Sequence, residues 1–149
     1  CRSYFPVVKT LAEEFADTDV VFVFRHFPLR QIHPNADISS RAAEVAGLQG
    51  LFWQMHDILF DKQQDWASSR DAKDIFIGYA KDLGLDIEKF KHDIDSDAVK
   101  NAIEEDVKEG YSARVNSTPS FFINGNFISN PRSIDEFRNL ITTALKGSS

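Results

Sequence analysis

One cysteine in 149 residues leaves no partner for an intramolecular disulfide and excludes any metal site built from several thiolates. Blocks of lysine or arginine are missing too, and the formal net charge is −6. That balance argues against nucleic acid or an anionic membrane surface as the main partner. No apolar run approaches the ~20 residues needed to span a bilayer. A single methionine against thirteen phenylalanines points to a rigid, well-filled core rather than a plastic binding surface. Gly-rich phosphate loops and Ser/His/Asp elbows are absent. His26, His33, His56 and His92 lack a ligand-like spacing such as i, i+4, so no metal and no cofactor are expected. The opening Cys1-Arg2-Ser3-Tyr4-Phe5-Pro6 does not read as a signal peptide. The chain therefore reads as a mature form, a trimmed one or a piece of a longer protein.

What is present is 42% hydrophobic, enough apolar material for one domain with its own core. Val7, Val8, Leu11, Ala12 and Phe15 recur at helical spacing and predict a helix over 1–17, with Cys1 at or near its start. Val20-Val21-Phe22-Val23-Phe24 is a continuous β-branched and aromatic run, which predicts a strand buried on both faces. A helix followed by such a strand is half of an α/β crossover. A small-residue helix follows from Pro34 to about Ala46, closed by Gly47. Further helices carry Phe52 to Phe60, Ala72 to Leu83 with Gly84 as the stop, and Ile87 to Ile94. Another is capped by Ser96 and ends near Gly110. Ser133-Ile134-Asp135-Glu136 is a capping box that opens a last helix. The order is helix, strand, a block of about five helices, a hairpin and a helix.

The most informative stretch is Asn116-Ser117-Thr118-Pro119-Ser120-Phe121-Phe122-Ile123-Asn124-Gly125. Proline is confined to strand starts, edges or bulges, so Pro119 opens a strand at Phe121-Phe122-Ile123. Asn124-Gly125 supplies the positive-φ residues of a tight turn, and Phe127-Ile128 returns. The Thr118-Pro119 bond is either ordinary trans or cis. In the cis case the Thr118 backbone faces outward, unpaired, as an edge that an extended peptide joins by strand addition. Cys1 has two readings as well. At a helix N-terminus its thiolate is favoured and reactive; buried, it is inert. His56 reads as a core or boundary histidine, and His26 and His33 fall in the loop after the strand. Trp53 and Trp66 read as packing residues, with a substrate groove as the alternative for Trp66. Glu104-Glu105-Asp106 with Lys108-Glu109 reads as a solvated helix face.

Five stretches together resemble the DsbA-like thiol-disulfide oxidoreductases of the thioredoxin superfamily. They are Cys1-Arg2-Ser3-Tyr4-Phe5, the run from Val20 into Phe27-Pro28-Leu29, His33-Pro34-Asn35-Ala36, Gly50-Leu51-Phe52-Trp53-Gln54-Met55-His56 and the Thr118-Pro119 hairpin. The resemblance covers nearly the whole chain in the right order. It implies an α/β, thioredoxin-like fold with a helical insertion, approximately residues 33–113, between the second strand and a cis-Pro hairpin. It implies that Pro119 is cis beside the active-site cysteines, and that Ser117, Thr118 and Pro119 dock a substrate peptide. Aligned on Arg2-Ser3-Tyr4-Phe5, Cys1 takes the place of the second, resolving cysteine of a Cys-x-x-Cys. The attacking cysteine and the strand before it are not in these residues, so the domain, 1–149, is expected to be N-terminally incomplete and inactive alone.

The expected activity is thiol-disulfide exchange with unfolded or cysteine-containing proteins, supported by a redox partner protein, in an oxidising extracytoplasmic space such as a bacterial periplasm or cell envelope. The alternative is a redox-inactive, peptide-binding scaffold of the same fold. Two further readings take Cys1 as a true N-terminus, in a hydrolase or in a lipoprotein. The first needs a layered sheet sandwich that this helix-rich pattern does not provide, and the second leaves the hairpin unexplained.

Overall fold

The computed structural model describes residues 1–147, which form two compact units. The first comprises residues 1–24 and 114–147; the second comprises Arg25–Ala113.

In the first unit, helix α1 is Phe5–Glu14, shorter at both ends than the periodicity predicts. Cys1 precedes it in a turn whose carbonyl accepts from the Tyr4 and Phe5 amides at 2.9 and 3.2 Å. Pro6 falls in the first helical turn, where an amide hydrogen has no acceptor to lose. Strands β1 (Phe121–Ile123) and β2 (Asn126–Ile128) pair antiparallel, with Phe121 opposite Ile128 and Ile123 opposite Asn126. Asn124 and Gly125 make the turn at φ 48° and 78°, the positive values that a two-residue hairpin loop requires. Helix α8, Ile134–Gly147, opens at the predicted Ser133, with the return bond of the capping box shifted one residue back. Ser133 Oγ accepts from the Glu136 amide at 3.1 Å, while Glu136 reaches back to the Arg132 amide at 2.8 Å. Leu11 of α1 and Phe15 just past its end meet Phe137 and Ile141 of α8 in one buried cluster.

Residues 20–24 depart from expectation. They form no strand, and no ladder includes them among the described residues. Val20 and Phe22 pack on the α1–α8 cluster, whereas Val21 and Val23 are 81% and 69% exposed. Burial alternates along the run, and only the side carrying Val20 and Phe22 is covered by a packed layer. A run that is apolar throughout is therefore buried on one face, not two.

The second unit is helical: α2 (Ala36–Leu48), α3 (Phe52–Asp61), α4 (Gln63–Trp66), α5 (Ala72–Asp82), α6 (Ile87–Asp93) and α7 (Asp97–Ser112). Its largest fully buried side chains are Phe76, Phe90, Met55, Ile94, Ile103 and Val45. Ala42, Ala43 and Ala46 bring α2 close to its neighbours. Gly47 does not close α2 but lies within it, and the reason is contact: a Cβ there would stand 3.3 Å from Phe52 Cβ. The positive φ that ends the helix belongs to Gly50, at 81°. Asp86 and Ser96 cap α6 and α7 through the amides of Lys89 and Val99.

Candidate functional site

Thr118-Pro119 leads directly into β1, and the peptide bond between them is cis. Ser117 is exposed; Thr118 and Pro119 are half-buried. The loop is tied internally by Ser120 Oγ, which donates to the Ser117 carbonyl at 2.8 Å. Asn130 Nδ2 donates to the Pro119 carbonyl at 3.1 Å. Among the described residues, the amide and carbonyl of Thr118 enter no hydrogen bond. Backbone groups of that kind are obligatory donors and acceptors, so Thr118 presents a hydrogen-bonding edge to anything extended laid beside it.

Cys1 is exposed, with a free thiol. Its turn is anchored by Tyr4, whose Oη donates to the Pro131 carbonyl at 3.0 Å and whose ring lies 5.3 Å from that of Phe121. Phe121 in turn meets Phe137 of α8 edge-on at 4.9 Å. The cysteine turn and the proline loop are thus fastened to consecutive residues: Asn130 holds Pro119, and Pro131 receives Tyr4. Sequence reasoning missed this support. The Asn130-Pro131 dipeptide, a turn signal between a strand and a capping box, was the available hint.

The remaining candidates are placed elsewhere. His26 is buried, its Nε2 2.9 Å from Glu44 Oε1 and its amide 2.8 Å from Asp106 Oδ2. Asp106 also receives Arg25, so the acidic face of α7 is a docking rim for this segment rather than merely solvated. His33 is exposed. His56 is half-buried among Phe52, Trp53 and Phe60 and paired with Asp57, the boundary histidine expected. His92 is exposed beside Asp93. Trp66 is a packing residue, its Nε1 donating to the Leu59 carbonyl at 2.9 Å. Trp53 is not: it is 49% exposed, because its place on α3 turns it outward from the buried Met55 and Leu59. No group of three or more His, Cys, Asp or Glu among the described residues could hold a metal ion. A groove of about 600 Å³ runs between the hairpin and α8, lined by Ile123, Ile128, Leu140 and Ala144 among others; Cys1, Ser117, Thr118 and Pro119 do not line it.

A family model described as thioredoxin matches residues 1–143. The protein named Na(+)/H(+) antiporter NhaA 1 of Salinispora arenicola (strain CNS-205) is 35% identical over 147 residues, 99% of this chain and 22% of that protein. The Na(+)/H(+) antiporter NhaA of Herminiimonas arsenicoxydans is 40% identical over 115 residues, 77% of this chain and 17% of that protein. The chain thus spans well under half the length of these curated relatives. Among solved structures, a thioredoxin-like oxidoreductase from Silicibacter pomeroyi DSS-3 superposes with TM-score 0.78 and 24% identity, over 98% of this chain and 79% of that one. The oxidoreductase DsbA from Xylella fastidiosa gives TM-score 0.77 and 16% identity, over 99% and 80%. At these identities the likeness to the solved structures is one of fold.

Proposed function

The chain belongs to the thioredoxin family and has a thioredoxin-like fold, and from that membership we propose that it exchanges disulfides with protein substrates, Cys1 acting as the resolving thiol. The observation that supports this most is the pairing of an exposed, anchored Cys1 with the unpaired backbone of Thr118 on one support. An extended substrate peptide lies along Thr118 by main-chain hydrogen bonds, as in other strand additions. Ser117 and Pro119 flank that edge and shape it.

In the exchange, the thiolate of an attacking cysteine outside these residues attacks a substrate disulfide and breaks its S–S bond. One substrate sulfur is expelled as a thiolate that takes up a proton, and the other is left in a mixed disulfide with the attacking cysteine. The Cys1 thiolate then attacks the sulfur of that attacking cysteine. A new S–S bond forms between the two protein sulfurs, and the substrate leaves as a thiolate that takes up a proton. The substrate gains two electrons and the dithiol loses them; run in reverse, the same steps oxidise the substrate. A redox partner protein restores the starting state. Unfolded or cysteine-containing proteins are the substrate class.

The named antiporter relatives contain a sequence like this one as a fraction of their length. On that ground we place the domain in a longer bacterial polypeptide at the cell envelope, its exchange site on the extracytoplasmic side, where disulfides persist. No described helix is long and apolar enough to cross a membrane.

The test is reduction of a peptide disulfide by the native polypeptide that carries this chain, kept reduced by its redox partner protein. Cys1→Ser abolishes steady turnover and leaves a trapped mixed disulfide; equal turnover by the variant overturns the reading. A second reading, a peptide-binding scaffold without a redox cycle, is favoured by the single cysteine. It requires peptide binding that neither dithiothreitol nor Cys1→Ser alters. The intact mass of the native protein, which reports what precedes Cys1, separates the two at the outset.

A further inference from the structure

We propose that Tyr4 and Asn130 are positioning residues that, through the Asn130-Pro131 segment, set the sulfur of Cys1 against a peptide held at Thr118. The inference rests on the reading of Cys1 and Thr118 as parts of one exchange site.

Two fastenings meet on adjacent residues. Asn130 Nδ2 donates to the Pro119 carbonyl at 3.1 Å, so the side chain of residue 130 fixes the loop that carries the Thr118 edge. The carbonyl of the next residue, Pro131, accepts from Tyr4 Oη at 3.0 Å. Tyr4 is in turn bonded to the cysteine turn, its amide donating to the Cys1 carbonyl at 2.9 Å. The path from sulfur-bearing turn to peptide-bearing loop is therefore Cys1, Tyr4, Pro131, Asn130, Pro119, with hydrogen bonds at three joints and one peptide bond between them.

The residue types suit the role. A tyrosine reaches far with only two side-chain torsions to fix, and its ring is seated on Phe121, which is itself packed on Phe137. Pro131 is buried and has no amide hydrogen to draw it into another ladder, so its carbonyl serves the hydroxyl alone among the described hydrogen bonds. Phenylalanine at position 4 would keep the ring and lose only the joint. None of these groups touches the reacting sulfurs; they act by fixing where the two halves of the site stand, and small errors of placement cost reactivity.

Because Cys1 is the one cysteine of the chain, its kinetics report a single sulfur. The full chain, Tyr4→Phe and Asn130→Ala are each reacted with a small aromatic disulfide and with an extended peptide whose cysteine is activated as a thiopyridyl disulfide. In both reactions the Cys1 thiolate attacks one sulfur and expels the other as a thiolate, so only the peptide contacts differ. The expected result is a wild-type preference for the peptide, after correction for leaving group. That preference falls by about fivefold to tenfold in either variant, the size of one lost positioning hydrogen bond. The rate with the small disulfide stays within about twofold, and the double variant falls little further than the worse single one, because both act on one path. Circular dichroism and the thermal midpoint report folding, and the small-disulfide rate shows that the sulfur is intact. A peptide preference that survives both substitutions overturns the inference alone. Absence of any peptide preference in the wild-type chain overturns the shared site at Cys1 and Thr118, and the inference with it.

Discussion

The imidazole of His26, 4% exposed, places Nε2 2.9 Å from Oε1 of Glu44 on α2. The same residue's amide donates to Asp106 of α7, so one histidine ties the start of the helical unit to two of its helices. Glu44→Ala removes a charged acceptor from a buried ring nitrogen and is expected to cost about 1–3 kcal/mol. Glu44→Gln keeps an oxygen in the same place and is expected to cost less. Urea unfolding of both variants checks this; equal losses would show that the geometry of the pair is irrelevant to stability.

Asn35 closes the loop after α4. Its Nδ2 lies 2.7, 3.3 and 2.8 Å from the carbonyls of Trp66, Ala67 and Ser69. A donor facing three acceptors tolerates no exchange of sign. Asn35→Ala leaves those carbonyls to water, for about 1–3 kcal/mol. Asn35→Asp is nearly the same size but sets a carboxylate with no donor against three oxygens. It is therefore expected to destabilise more than alanine at neutral pH, and the order of the two thermal midpoints is the measurement.

Asp95 supplies the pH dependence. The Lys73 ammonium hydrogen-bonded to it holds its carboxyl below the usual carboxylate range, against a smaller opposing effect of burial, with Arg41 adding to the lowering. A carboxyl whose folded pKa is depressed stabilises the fold above its unfolded value, about 3.9, and loses that contribution as pH falls through the folded value. The pair is half-exposed, so its worth is at most about 1 kcal/mol. Asp95→Asn should lower the urea midpoint slightly at pH 7 and converge on the wild type once the pH has fallen below the depressed folded value. A deficit that persists unchanged in acid would assign the effect to packing instead.

Much of this was legible from residues whose local chemistry leaves few options. Asn124-Gly125 demanded a positive-φ turn, and the strand register followed from it. Ser96 and Ser133 announced helix starts because their hydroxyls replace missing acceptors. Gly47 misled, because glycine serves close packing as readily as helix termination, and a sequence does not say that Phe52 lies against it. The four-residue α4 is too short to show a period. The Tyr4 link to Pro131 joins the two ends of the chain, and nothing in the spacing of apolar residues reports where a phenol hydroxyl finds its acceptor. Cys1 and Thr118-Pro119 stood out individually; the brace between them did not.

Residues 20–24 give the sharpest check on a reading that the fold revised. All five are apolar, and uniform burial would make them equally sensitive. The observed alternation divides them instead. Phe22 packs on the cluster of Leu11, Phe15, Phe137 and Ile141, and Phe22→Ala opens a gap there at a cost of about 2–3 kcal/mol, below the full range for aromatic truncation because the ring is only half-buried. Val23 faces solvent, and Val23→Thr, which keeps the β-branch, is expected within about 0.5 kcal/mol of wild type. The same holds for Val21→Thr, and each threonine should raise solubility by removing exposed apolar surface. Urea unfolding of the three variants reads the pattern directly. Comparable losses at 22 and 23 would mean that a second layer covers the outer face in solution.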